Sequence, residues 1–453
     1  MKPVVLGAGL GFYGDSIAHV KRSAQNNRLD YLCSDHLGEL TLSILQRDRR
    51  ADPTSGYAKD MVALLLAAWP VTREAGTRFI CNGGGLNPRG AAIALRQAMR
   101  ARGFAARIAF VEGDDVLPHL DVLRRGGESL ANTDTGANFS AVPQPFGFAN
   151  AYLGARPLVQ ALQMGADIVV TGRVADASLF LAPLVHEFGW DWQDHDRLAS
   201  GLAVGHLLEC SGQVSGGNLS GDWWQLSDLS DIGYPIATVR STGDAVIGKA
   251  PGSGGRVSVD SVRQQLLYEV HDPRAYLSPD VSLDMTSLRL RALGPDQVEV
   301  SGAIGGPPPG TLKVVAGYRA GYAVSGMLGY SWPDALRKAQ AAADILRQTL
   351  AREEAGLEEV HISFPGFNAL HGALADPAQG RDLNECFMRV AVRTADKAQA
   401  RRVAQHLPWM MVGGPPDVVY IPPSPPRELT AIWPMRIQRA PIESRISVEV
   451  LEP

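Results

Sequence analysis

The chain has 453 residues, 45% hydrophobic and 20% charged, with a formal net charge of -4 and a mean hydropathy of -0.05. That length exceeds one compact core and predicts two or three domains. With no basic excess and no apolar window of signal-peptide or membrane-span length, the composition argues against nucleic acid and membrane partners and predicts a cytoplasmic protein.

A first strand is expected at 2–6 (KPVVL), ended by glycines and followed by a helix over 17–25. A second strand at 29–34 (LDYLCS) leads to helices at 37–47 and 61–75, a strand at 78–81 and a helix at 89–102. Further strands fall at 108–112 (IAFVE) and 166–171 (ADIVVT). Strands alternating with helices over 1–215 predict an α/β, Rossmann-like domain with a parallel sheet covered on both faces. From 216 the texture changes. Residues 235–315 are rich in Val, Gly and Pro, with alternating pieces at 235–240 and 297–302, and read as a β-rich section. A strand at 312–324, an Ala/Leu helix at 333–355, strands at 359–364 and 387–394 and a helix at 397–408 then predict an α+β layer. Residues 216–453 are thus expected to form a second domain.

Four glycine-rich loops punctuate the chain: 7–14 (GAGLGFYG), 83–88 (GGGLNP), 171–178 (TGRVADAS) and 212–217 (GQVSGG). Three follow strand-like runs, which gathers them at one sheet edge, where α/β enzymes bind anionic small molecules. The first departs from G-x-G-x-x-G spacing, so a tight turn is the plainer reading than an NAD site. In the second, Gly83, Gly84 and Gly85 place consecutive amides where an anion can sit, with Asn82 and Asn87 as side-chain donors. In the third, Arg173 supplies a bidentate donor, and Asp176 reads equally as a helix cap or a catalytic group. The acid/base candidates are Asp35, Glu39, Asp176 and Glu209. Asp35 and Glu39 are four residues apart and, on one helix, could share a proton or a divalent cation, although ordinary capping explains them too. His36, His206 and His371 are single and show no metal-ligand spacing, so no metal site is expected and each reads as a surface or satisfied polar residue. Cys33, Cys81, Cys210 and Cys386 lack CxxC spacing and read as reduced thiols.

The ordered set GFYGD (11–15), LDYLCSDHLGELTLSIL (29–45), CNGGGLNP (81–88), ADIVVTGRVADASL (166–179), GHLLECSGQVSGGN (205–218), GYPIA (233–237), GSGGRVSVDSVRQQLLYEV (252–270) and DPRAYLSPDV (272–281) resembles the acyclic terpene utilisation protein AtuA family. The resemblance spans nearly the whole chain. It implies a catabolic role beside acyl-CoA carboxylases, dehydrogenases and hydratases, with a carboxylic acid or coenzyme A thioester as substrate. It carries no established catalytic residue. Many relatives resemble a longer protein with an extra small C-terminal domain, so the resemblance also implies a separate small subunit and a homo- or hetero-oligomer.

These readings lead to a catabolic enzyme of hydratase or lyase type, with a single cleft between the second and third loops flanked by Asp35 and Glu209. Gly83, Gly84, Gly85 and Arg173 would hold the anionic or carbonyl end, and a carboxylate would move the proton. The alternatives are a hydrolase of a related substrate, a non-catalytic ligand-binding or assembly subunit, and an NAD-linked oxidoreductase.

Overall fold

A computed structural model describes residues 1–25 and 28–453. The chain divides into two compact units, one of residues 1–142, 146–317 and 432–453, the other of residues 143–145 and 318–431.

In the first unit the strands are β1 (Val4–Ala8), β2 (Tyr31–Ser34), β3 (Arg78–Cys81), β4 (Ile108–Glu112), β5 (Phe146–Ala151) and β6 (Ile168–Thr171). Between and after them lie α1 (Ile17–Gln25), α2 (Glu39–Ala51), α3 (Lys59–Thr72), α4 (Pro88–Arg100), α5 (Leu120–Arg125), α6 (Arg156–Gln163), α7 (Ser178–Phe188) and α8 (His195–Leu208). Then come β7 (Pro235–Val239), β8 (Ala245–Lys249), α9 (Val259–Leu267), β9 (Tyr276–Leu277), β10 (Ser282–Asp284), β11 (Arg289–Gly294), β12 (Gln297–Ser301) and β13 (Ile304–Gly306). Strand β14 (Thr311–Ser331) leaves this unit.

The parallel core runs β1-β2-β3-β6-β4, in register at Cys33↔Ile80, Ser34↔Cys81, Cys81↔Val170 and Val111↔Thr171. Its strands are short, nearly continuous apolar runs, the pattern of strands buried on both faces. Leu32, Phe79, Phe110, Ile168 and Val170 join residues of α1, α3 and α4 in one apolar cluster. The alternate residues Cys33, Ile80, Ala109 and Val169 are equally buried, on the side where α6 meets β4 and β6 and α7 meets β1 and β2. The expected layered α/β arrangement over 1–215 is therefore present as a mixed α/β fold.

The β-rich stretch behaves differently from expectation. Strands β7, β8, β12 and β11 extend the same sheet antiparallel from β1, and β19 (Ser447–Leu451) closes the far edge against β4. Residues 235–317 and 432–453 thus belong to the first unit instead of a second domain beginning at 216. The physical reason is the open edge: unpaired N–H and C=O groups of β1 and β4 need partners, and local patterning does not say which distant strand supplies them.

In the second unit β15 (Glu359–Ser363), β16 (Glu385–Thr394), β14 and β17 (Val418–Ile421) form an antiparallel sheet in the order β15-β16-β14-β17, and β18 (Arg427–Gln438) also pairs with β14. The helix α10 (Ala335–Glu353) lays Ala339, Ala342, Ala343, Leu346 and Leu350 on Met388, Val390 and Val392, as its apolar stripe predicts. Among the described residues, no helix is long and apolar enough to cross a membrane.

Candidate functional site

The register of the parallel strands places the ends of β2, β3 and β6 side by side, so the residues that follow them, Asp35, Asn82 and Arg173, emerge at one sheet edge. The glycine loops meet there in pairs. The Gly84 amide donates to the Thr171 carbonyl (3.1 Å), and Gly11 packs on the backbone of Glu209, Cys210 and Ser211.

Arg173 is the centre of this edge. It is 3% exposed, and its guanidinium grips the Asp176 carboxylate at 2.5 and 3.4 Å. Its Cζ lies 4.0 Å from the centroid of the Tyr152 ring, and the Lys313 ammonium lies 4.6 Å from the same ring. Two cations against one aromatic ring are tolerated because the ring faces are electron-rich and carboxylates stand nearby. The Tyr152 hydroxyl donates to Glu39 at 2.7 Å, and Lys313 donates to the same oxygen at 3.2 Å. Burial pushes the Glu39 carboxyl up, but Lys313 and the Tyr152 hydroxyl outweigh it and hold the group down at about 2. Arg173 stays charged: desolvation opposes the charge, while Asp176, Tyr152 and Asp35 more than offset it.

Asp35 stands behind this wall. It accepts from the Asn82 side chain at 2.5 Å and from the Leu37 amide at 3.0 Å. Burial raises its pKa well above the usual range and the Asp176 charge adds to the rise, with Arg173 and Asn82 pulling the other way. Helix α2 begins only at Glu39, after an extended Gly38, so Asp35 and Glu39 do not share a helix face. Each has its own partners, and a proton or cation shared between them, as their spacing suggested, is not what the fold builds.

Helix α8 delivers Glu209. A Cβ on Gly205 would lie 2.4 Å from the Ala177 carbonyl, so only glycine lets α8 approach the start of α7 this closely. That approach brings His206 and Glu209 beside Asp176. His206 Nδ1 and Glu209 Oε1 are 2.8 Å apart. Burial raises the Glu209 pKa, His206 offsets part of that, and the Asp176 charge adds to it. His206, which the sequence marked only as an isolated polar residue, is in fact a buried member of this ion pair.

A cavity of about 740 Å³ opens against these groups. Its polar lining includes Glu39, Tyr152, Asp176, Tyr276 and Lys313, with Asp134, His271 and Arg436 also on the wall, and Leu202, Leu312, Ile432 and Met435 supply apolar surface. Among the described residues, no group of three His, Cys, Asp or Glu side chains is arranged to hold a metal ion.

The second glycine loop has a different role from the expected anion cradle. Gly84 and Gly85 amides are bonded to Thr171 and Asn82 carbonyls, the Gly83 amide faces the Cys81 sulfur, and all three glycines are buried. A Cβ at Gly83 would strike Met61, at Gly84 the Thr171 carbonyl, and at Gly85 Leu45. The loop is a packing turn. Asn87 is likewise a helix cap, accepting from the Gly90 amide at 2.9 Å. Asn82 bridges Asp35 and the His36 amide and positions them without facing the cavity. The first loop is equally engaged: the Gly9, Gly11 and Gly14 amides bond Cys33, Asp15 and Asp60, so they form no pyrophosphate cradle. Asp176, by contrast, caps nothing. Helix α7 has Ala177 at its cap position with no side-chain bond, and the carboxylate turns to Arg173.

The sequence reading missed Tyr152, Tyr276 and Lys313. A lone lysine inside the apolar run TLKVV was the one available signal for Lys313, and His206 with Glu209 at i, i+3 on an otherwise apolar helix was the signal for that pair.

No curated protein and no solved structure matches the chain. The family model described as acyclic terpene utilisation family protein AtuA matches residues 4–448, and with nearly the whole chain covered, this protein belongs to that family.

Proposed function

We propose that the cavity binds a carboxylic acid or its coenzyme A thioester and carries out hydration, dehydration or carbon-carbon lyase chemistry in catabolism. The observation that carries this reading is Asp176 at the cavity wall, gripped by the buried Arg173, with Asp35 buried behind them. Lys313 is the cation placed to hold a carboxylate or polarise a carbonyl, the role first assigned to the glycine amides and Arg173, while the buried Arg173 holds Asp176 in place. Asp176 keeps 32% of its side chain exposed and Glu39 40%, so both carboxylates can reach a substrate. Asp176 is the base in this reading, and Asp35, which burial and Asp176 drive toward its neutral form, lies behind it while ionised Glu39 holds Lys313 and Tyr152 in place. The apolar wall suits the hydrocarbon part of such a substrate. We read the parallel core as Rossmann-like in placing its ligand at the carboxyl ends of the strands.

The test is incubation of the protein with a panel of branched enoyl- and hydroxyacyl-CoA esters and the free acids, with products followed by mass spectrometry. Gain or loss of one water, or cleavage to two acyl products, is the expected result. Saturable binding of an ester without turnover would instead favour a ligand-holding subunit.

A further inference from the structure

The wall of the cavity around β9 carries chemistry that the proposed roles leave unused. Tyr276 lines the cavity, and its ring packs against His206 with centroids 5.0 Å apart. Its hydroxyl lies 3.5 Å from His206 Nδ1, the nitrogen that also meets Glu209. Gln265 of α9 fixes the helix end by donating to the His206 carbonyl at 3.0 Å. Three polar atoms in this group, His206 Nε2, Glu209 Oε2 and Gln265 Oε1, have no hydrogen-bond partner among the described residues, although their residues are only 1%, 8% and 1% exposed. Native interiors retain few such atoms, and their clustering beside a cavity is a mark of function over packing.

The charges around the group define what it can do. Glu209 caps the helix that carries His206, Tyr276 faces it from β9, Glu269 acts from the segment after α9, and Asp176 and Cys210 act on Tyr276 from their loops. Desolvation would push the His206 imidazole down, but Glu209 outweighs it and keeps the ring protonated to higher pH than usual. Burial and then Glu209, Asp176, Cys210 and Glu269 all disfavour a phenolate at Tyr276. Tyr276 is thus a donor, with a protonated imidazole behind it.

We propose that Tyr276 is the catalytic proton donor of this cavity and that His206 and Glu209 are positioning residues that orient and reprotonate it. This rests on the hydratase or lyase reading given above. In the dehydration direction Asp176 takes the proton from the carbon beside the carbonyl, and the electron pair left behind forms the carbon-carbon double bond. The carbon-oxygen bond breaks, the departing oxygen takes the Tyr276 proton and leaves as water, and the His206 Nδ1 proton passes to the tyrosinate.

The experiment compares wild type, Tyr276→Phe and Glu209→Gln on an ester that the wild type converts, over a range of pH, with His206 titrated by NMR in all three proteins. Phe keeps the ring packing and Gln keeps the shape of Glu209, so both variants retain the fold. Tyr276→Phe is expected to lower kcat by roughly 10²–10⁴-fold, the usual contribution of a general acid, with KM changed by less than about threefold. Glu209→Gln is expected to move the His206 titration and the alkaline limb of the kcat profile to lower pH, which a purely structural role would not do. Near-wild-type kcat in Tyr276→Phe overturns the donor role while leaving the reaction reading intact. An unmoved His206 titration in Glu209→Gln overturns the positioning role. A wild type that converts no ester overturns the reaction reading itself, and the donor role with it.

Discussion

The guanidinium carbon of Arg173 stands 4.0 Å from the centroid of the Tyr152 ring. The Tyr152 hydroxyl in turn donates a hydrogen bond to Glu39, so one aromatic residue links the cation after β6 to the carboxylate that starts α2. A bidentate planar cation fits this position and a lysine does not, because Lys offers no fork for Asp176. We expect Arg173→Lys to fold, to lose about 1–3 kcal/mol of stability through the weakened stacking and ion pair, and to bind an acyl ligand at least about tenfold more weakly. Urea unfolding and titration calorimetry check the two effects. Unchanged affinity would place the ligand away from Arg173.

The glycine turn after β3 should be sensitive to any side chain. Gly85 has φ +54°, and a Cβ there would lie 2.3 Å from Leu45 Cδ1 and 2.9 Å from the Gly56 carbonyl. Gly76, with φ +71°, has open space around its Cβ direction. Gly85→Ala is expected to cost about 2–4 kcal/mol from overpacking plus backbone strain, and Gly76→Ala only about 1–2 kcal/mol from strain alone. Thermal unfolding of the two variants measures the gap. Equal losses would contradict the packing role of this turn.

Asn87 separates a cap from a ligand contact. Its side chain accepts from Gly90 and donates to the Thr54 and Ser55 carbonyls. Asn87→Ala should therefore lower stability by about 0.5–2 kcal/mol while ligand affinity stays at the wild-type value. A selective loss of affinity at unchanged stability would return Asn87 to the binding site.

Asp114 predicts a pH dependence. Burial lifts its carboxyl to about 7, despite bonds from the Arg173 amide and the Asn150 side chain. The folded value lies above the unfolded one, so the folded state holds the proton more tightly between about pH 4 and pH 7. The stability contributed by protonated Asp114 is complete below about pH 4 and is lost as pH rises through 7. Asp114→Asn keeps the shape and stays neutral, and its unfolding free energy should fall less steeply across that window, by at most about 4 kcal/mol. Urea midpoints at pH 4, 5.5, 7 and 8, values spanning about one unfolded to above one folded pKa, test this. Parallel slopes in the two proteins would refute it.

Several elements were legible because their signals are local. Continuous apolar runs such as IAFVE marked strands to the residue, as at Ile108–Glu112, and the Ala/Leu stripe marked α10 to within two residues at each end. The convergence of loops after β1, β3 and β6 also followed from strand-helix alternation alone. Strand β5 was not legible, since FGFANA has no clear alternation of apolar and polar residues and draws its order from pairing with β14.

At the site, residue type was legible and role was not. Arg173 stood out because a planar cation between a glycine and a helix start needs an anionic partner, and Asp176 supplies it. Gly83, Gly84 and Gly85 look the same in sequence whether their amides face a ligand or a neighbouring carbonyl. Only the packing of Met61, Thr171 and Leu45 against them distinguishes the two. Tyr152 lies more than a hundred residues before Tyr276 and Lys313 in sequence, and their shared cavity exists only once the fold has brought those segments together. By itself, then, the sequence determined the strand and helix alternation, the family and the chemical types at one sheet edge, all of which depend on neighbouring residues. Tertiary structure alone decided which of those groups are buried, paired or open to the cavity, because burial and charge pairing are properties of what the distant chain places beside each group.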